Sequence, residues 1–336
     1  MSNIVEVETE QGKICGNLAQ NGSSNFKGIP YASPPIGKLR LKRSIPHPGW
    51  GEVLDCTQFR ACSLQNHDST LSASAAYPGG LSEDCLHLNV WVPPANSSEQ
   101  RFPVFFWIHG GAWRRGSKDK PPILALAEKG WPVASIEYRL SGEAPFPAQI
   151  HDIKAAIRFL RANQQEYGLR AKRVFIFGAS AGGHLAALAG ITNGVEDLEG
   201  LATSNSEQSS DIQGIGSLYG ASNLPTILDQ STPHGLSVRV PALELFIGGR
   251  PEDVPSIAQE ASPVFHVDID DPPLLMIHGD QDPQMPINQS IELLGKYEES
   301  GLDVSFVPLH GAEHGGKTFF DDERIEMMHR FLIGIR

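Results

Sequence analysis

The chain has 336 residues, 39 Asp and Glu against 27 Lys and Arg, a net charge of −12 with His neutral, and 40% hydrophobic residues. That length buries a large core in one big domain or two ordinary ones, and the modest charged share of 20% excludes a disordered chain. The acidic balance excludes a general nucleic-acid binder, and no apolar run reaches the 18 or so residues of a transmembrane segment.

The first residues, MSNIVEVETEQGKICG, are acidic and lack the apolar run of a signal peptide. The expected compartment is therefore the cytoplasm, with secretion open if a leader has been trimmed. The first hundred residues read as strands and loops punctuated by Pro30, Pro34, Pro35, Gly37, Pro46, Pro48 and Gly49. Of the four cysteines, Cys15, Cys56, Cys62 and Cys85, none forms a C-x-x-C pair, so neither a zinc knuckle nor a thioredoxin-type motif is expected. They read as buried or free thiols, with a Cys62–Cys85 bridge as the alternative; it would close the polar, surface-loop segment from Asn66 to Leu81.

Residues 86–92 alternate apolar with polar as a strand does. From residue 103 the pattern changes to short continuous apolar runs at 103–108, 132–138, 173–177, 215–219, 274–277 and 304–309. Such runs suit strands covered on both faces. Between them, Ile150, Ile153, Ile157 and Leu160 fall at helical spacing, as do Ile291, Leu294 and Tyr297 before Gly301, and Ile325, Met328 and Leu332 after Asp321-Asp322. Strand–helix alternation of this length predicts an α/β class with a mostly parallel central sheet and helices on both faces. Residues 194–211 read as a surface excursion. Residues 221–263 break the rhythm and are expected to form a small cap or insertion. No clean linker divides the chain, so residues 1–336 read as a single domain.

Gly178-Ala179-Ser180-Ala181-Gly182-Gly183 stands between the apolar strand RVFIF and the helical run HLAALAG. This is the context of a G-x-S-x-G nucleophile elbow, where a sharp turn demands small neighbours and lifts the Ser180 hydroxyl clear of the sheet. A serine needs a base near neutral pH. His314 in GAEHGG follows the last strand and is preferred over His310 in the same loop; His278, His151 and His329 read as structural. The base needs an acid to orient it. Asp282 in HGDQDPQMP lies on the preceding strand end and is preferred over Asp280, while Asp270 and Asp271 precede that strand and sit at the wrong end. His109-Gly110-Gly111-Ala112-Trp113 follows the strand PVFFWI, so the amides of Gly110 and Gly111, with that of Ala181, are the expected oxyanion hole. His109 reads as shaping that loop. Trp113 reads either as pocket lining or as packing.

These motifs, in the order Ser…Asp…His, resemble those of α/β-hydrolase serine esterases along nearly the whole chain. FKGIPYA at 26–32, PPIGKLR at 34–40 and SEDCLHLNVW at 82–91 resemble type-B carboxylesterases. The oxyanion loop, EYRLS at 137–141, EAPFPA at 143–148 and the elbow resemble hormone-sensitive-lipase-like and feruloyl-esterase-like esterases, and the tail motifs the latter group best. The chain departs from type B in its shorter length, in Ala179 where type B usually has Glu, and in Asp282 as the acid where type B has Glu. The resemblance implies the α/β-hydrolase fold, a structural role for Glu83-Asp84 and a Cys62–Cys85 pairing. It implies a serine carboxylesterase that forms an acyl-enzyme on a small-molecule or polysaccharide-linked ester, without metal or cofactor. An amide hydrolase on the same residues, or a non-catalytic binding module of the same fold, are the alternatives.

Overall fold

The computed structural model describes residues 3–66, 77–94, 103–200 and 205–335. Most of the expected 66–81 loop lies outside them. Among the described residues, eleven strands form one mixed sheet in the order β1-β2-β3-β5-β7-β6-β8-β9-β10-β11, with β4 beside β2. The N-terminal part, β1 (Ile4–Thr9), β2 (Gly12–Leu18), β3 (Ser24–Pro30) and β5 (His87–Val92), pairs antiparallel up to β7, while the two-residue β4 (Leu54–Asp55) runs parallel to β2. Then β7 (Val133–Ile136), β6 (Pro103–Ile108), β8 (Arg170–Ala179), β9 (Gly214–Leu218), β10 (Leu274–Gly279) and β11 (Val304–Leu309) are parallel.

The apolar runs are explained by what covers them. Along β6, Val104, Phe106 and Ile108 enter one buried cluster while Phe105 and Trp107 enter another on the opposite face. The first cluster is closed by α2 (Ala148–Ala162), α3 (Ala181–Ile191) and α8 (Asn288–Glu299), through Ile153, Leu185 and Leu293 among others. The second is closed by the short α1 (Ala125–Glu128) and by α9 (Asp322–Gly334), through Leu126, Ile325, Met328 and Leu332. Every residue of α3 is buried, which its Ala- and Gly-rich sequence permits at close range to the strands. Asp321 caps α9 by accepting from the Arg324 amide. Gly301 takes φ +69° just past α8, the left-handed turn expected of it.

Two expectations are corrected. The 194–211 segment is not simply a surface excursion: it contains α4 (Glu196–Glu199), whose Glu199 is buried against Lys154 at 2.6 Å and Arg158 at 2.9 Å. Cys62 and Cys85 are free thiols, as are Cys15 and Cys56. Cys62 Sγ meets the Ser117 hydroxyl at 3.1 Å and Asp119, whereas Cys85 Sγ accepts from Ser63 at 3.3 Å, so each sulfur is turned to its own polar partner. Residues 221–263 fold as three helices, α5 (Leu224–Gln230), α6 (Pro233–Phe246) and α7 (Pro255–Glu260), between β9 and β10.

Candidate active site

The chain leaves β8 at Ala179 and enters α3 at Ala181, so the reversal rests on Ser180, with φ 56° and ψ −119°. A side-chain-bearing residue held there costs about 1–3 kcal/mol. The glycines around it are obligatory for space: a Cβ on Gly178 would strike the Gly182 backbone, and one on Gly182 would strike the Ile108 carbonyl oxygen. The Ser180 amide donates to the Leu218 carbonyl at 2.8 Å, tying the turn to β9.

Three loops at the carboxyl ends of β8, β10 and β11 meet here. His314 Nε2 lies 2.9 Å from Ser180 Oγ, and His314 Nδ1 lies 2.6 Å from Asp282 Oδ2. With Nδ1 protonated toward the carboxylate, Nε2 presents its lone pair to the hydroxyl. Asp282 Oδ1 accepts from the amides of Gln284 and Met285, each at 2.8 Å, and His278 Nε2 stands 3.4 Å from Oδ2. Burial pushes the Asp282 carboxyl up, but the hydrogen bonds from His278 and His314 outweigh it and hold the pKa well below the usual range. Burial dominates at His314 and lowers its pKa, although Asp282 pulls the other way. The Tyr219 ring packs edge-on against His314 at 4.9 Å.

The two rival residues pair with each other instead. His310 Nδ1 meets Asp280 Oδ2 at 2.8 Å at the surface, with the His310 side chain 87% exposed. His278 is buried, its Nδ1 2.8 Å from the Ser290 hydroxyl, and so has a structural place. His151 Nε2 is likewise engaged with the Asp197 carbonyl, and His329 with Trp131.

Gly110 and Gly111 line the same cleft, and a Cβ on Gly110 would come within 3.3 Å of Ser180 Cβ. Ala181, the first residue of α3, is fully buried. The loop that carries Gly110 and Gly111 is braced from inside. His109 stacks on Tyr138 with centroids 4.4 Å apart, and its Nε2 stands 3.2 Å from the buried Glu137 carboxylate. Glu137 in turn faces Lys118 Nζ at 3.5 Å, whose ammonium donates to the carbonyls of Arg60 and Ala61 at 3.1 Å each. A buried ammonium costs several kcal/mol to desolvate; these acceptors offset it. Trp113 packs rather than lines: it is fully buried, stacked 4.6 Å from Phe246, and donates to His184 Nδ1 at 3.1 Å.

The cleft measures about 420 Å³ and is open to solvent; Trp107, Tyr219, Phe320, Arg114, Val238 and Arg239 are among its walls. Sequence reasoning did not single out Lys118 or Arg239. The available signal for Arg239 was a lone cation in the apolar run LSVRVPAL of α6.

Comparison with known proteins adds the following. The BD-FAE family model matches residues 88–297. The chain is 37% identical over 195 residues to the para-nitrobenzyl esterase of Bacillus subtilis, covering 53% of this chain and 38% of that protein. It is 34% identical over 218 residues to esterase LipC of Mycobacterium tuberculosis, covering 63% and 53%. The chain thus spans between about a third and a half of the length of these two relatives. Among solved structures, a truncated carbohydrate esterase from gut microbiota superposes with a TM-score of 0.69 at 26% identity, covering 94% of this chain and 98% of that one. The bifunctional GH43-CE of Bacteroides eggerthii gives 0.65 at 33%, covering 74% and 33%.

Proposed function

The chain belongs to the BD-FAE family and has the α/β-hydrolase fold, and from that membership we propose that it is a carboxylic ester hydrolase acting through Ser180, His314 and Asp282. The observation that carries the reading is the relay of 2.6 and 2.9 Å from Asp282 through His314 to Ser180, opening on the cleft. His314 Nε2 takes the Ser180 proton as Oγ attacks the ester carbonyl carbon. The carbonyl π pair moves onto oxygen, and the amides of Gly110, Gly111 and Ala181 hold the oxyanion; each such donor is worth about 3–4 kcal/mol. Collapse breaks the acyl–oxygen bond, and His314 gives its proton to the departing alcohol. Water, deprotonated by His314, then releases the acid and regenerates the serine. Asp282 stays ionised and stabilises the imidazolium.

The esterase names of the relatives support ester chemistry, and the likeness to carbohydrate esterases supports small or polysaccharide-linked esters as substrates. Residues 221–263 act as a small cap within a single domain, since α6 brings Val238 and Arg239 to the cleft. Four unpaired thiols suit a reducing compartment such as the cytoplasm.

The test pairs a fluorophosphonate probe with matched 4-nitrophenyl acetate and 4-nitroacetanilide. The expected outcome is labelling at Ser180, ester turnover well above anilide turnover, and a loss of at least about 10³-fold in kcat for Ser180→Ala with the fold retained. Faster anilide cleavage would make it an amide hydrolase; a Ser180→Ala variant that keeps a tenth of the activity would remove Ser180 from the mechanism.

A further inference from the structure

The cleft in front of Ser180 has a sign opposite to that of the molecule. The net charge is −12, yet Arg114, Arg115 and Arg239 line the cleft and, among the described residues, no aspartate or glutamate does. Asp282 attracts Arg239 electrostatically but, among the described residues, makes no ion pair with it. Its side chain is fully buried and its oxygens are taken by His314 and by the Gln284 and Met285 amides.

Arg239 is the unusual member. It is 1% exposed, and its Nε donates to the Gln284 carbonyl at 3.2 Å. Its Nη1, equally buried, has no hydrogen-bond partner among the described residues. Two other buried guanidiniums have carboxylate partners, Arg139 with Asp152 at 2.7 Å and Arg158 with Glu199 at 2.9 Å, and buried Arg161 is held by the carbonyls of Ala171, Ser209 and Asp211. Burial pushes the Arg239 pKa down to about 10; Asp282 opposes this and the like charge of Arg114 adds to it. A guanidinium is a planar fork of donors that fits a carboxylate with two parallel hydrogen bonds. This buried fork has one arm unsatisfied, stands among the walls of the cleft beside a second guanidinium, and makes no ion pair among the described residues, so an anion in the cleft would complete it.

We propose that Arg239, with Arg114 beside it, forms a carboxylate-recognition subsite, so that the preferred substrate is an ester carrying a carboxylate near its scissile bond. The proposal rests on the ester-hydrolase reading and narrows it. The carboxylate belongs either to the acyl part, as in the hemiester of a dicarboxylic acid, or to the alcohol part, as in an O-acylated uronic acid.

Two matched pairs separate these sources. Monoethyl succinate against ethyl pentanoate, followed by ethanol release, places the charge on the acyl side. Acetylated methyl glucuronoside against acetylated methyl glucoside, followed by acetate release, places it on the alcohol side. The expected result is a preference of at least tenfold in kcat/KM for the charged member of one pair, carried by KM and shrinking as NaCl is raised from about 0.05 to 0.5 M. Arg239→Gln and Arg114→Gln each reduce that ratio to below threefold, and Arg239→Lys restores part of it. If Arg239 only braces the Gln284 loop, Arg239→Gln lowers both members of a pair equally, and that overturns the proposal. Arg114→Gln, at a half-buried position, decides the matter should the Arg239 variant fail to fold. Turnover of both pairs without preference overturns the subsite alone. Absence of turnover on all four, with no fluorophosphonate labelling, overturns the ester-hydrolase reading and the subsite with it.

Discussion

At the scale of single residues, the site is governed by what burial does to charge and what hydrogen bonds do against it. At Asp282 the hydrogen bonds win and the carboxylate stays ionised. At His314 burial wins over the pull of Asp282, aided by the positive charge of Arg239, and the imidazole is biased to its neutral form. The sign of the pH dependence follows. On the proposed mechanism, lowering the pH protonates His314 and removes the base, so kcat/KM is expected to rise with pH through an apparent pKa below the ordinary value of about 6.5 and to be level above neutrality. A pH–rate profile between about pH 4.5 and 8.5 measures it; a midpoint above 7 would contradict the burial argument. Asp282 imposes no lower limb within that window, because its pKa lies well beneath it.

At the scale of elements, two glycines in helices make opposite demands. Gly182, in the first turn of α3, faces the β6 carbonyls of Ile108 and His109 with no room for a methyl group. Gly295, inside α8, has nothing within 4 Å of the place its Cβ would take. Gly182→Ala should cost at least about 2 kcal/mol, since backbone rather than a flexible side chain must yield. Gly295→Ala should stabilise by about 0.5–1 kcal/mol by removing unfolded-state entropy and improving helix propensity. Urea titrations of the two variants, fitted with a common m-value, check both signs. The parallel strands were legible in sequence for a related reason. Being covered on both faces, the interior ones must be apolar throughout, and 103–108 matches the observed strand to the residue; 304–309 also matches, although this edge strand is mostly only partly buried. The antiparallel β1 to β3 left only a general impression of strand. Their faces are partly exposed, as the mixed run IVEVET of β1 illustrates, and β4 is too short to leave any period. Within the site, Ser180, His314 and Asp282 were legible because each follows a strand end and sits among turn residues. Arg239 stood out only as a lone cation in an apolar run of α6, and its place at a cleft lined by the loops after β6, β8, β9, β10 and β11 is set by tertiary packing.

At the scale of the whole molecule, the cysteines illustrate where family likeness misleads. Cys62 and Cys85 stand in stretches resembling type-B carboxylesterases, but the polar contacts of Cys62 with Ser117 and of Cys85 with Ser63 leave both as thiols. Cys56, Cys62 and Cys85 are buried, and burial raises all three pKa values, that of Cys56 to about 12. A thiol reagent such as dithionitrobenzoate should therefore titrate all four groups in denaturant, but only the partly exposed Cys15 quickly in the native protein. A denatured count of two would restore the bridge.

Among the described residues the sheet terminates at β11, which pairs with β10 alone and has Pro308 set opposite His278. A marginal strand of this kind opens more readily than the interior, and the imidazole rides on the loop just beyond it. Loosening that border would detach the proposed base, His314, while Trp113 and Trp131, deep in the two cores, still reported an intact protein. Catalysis would then be the first casualty of mild denaturant, lost at a lower concentration than the tryptophan fluorescence change, and regained as soon as the border zips shut.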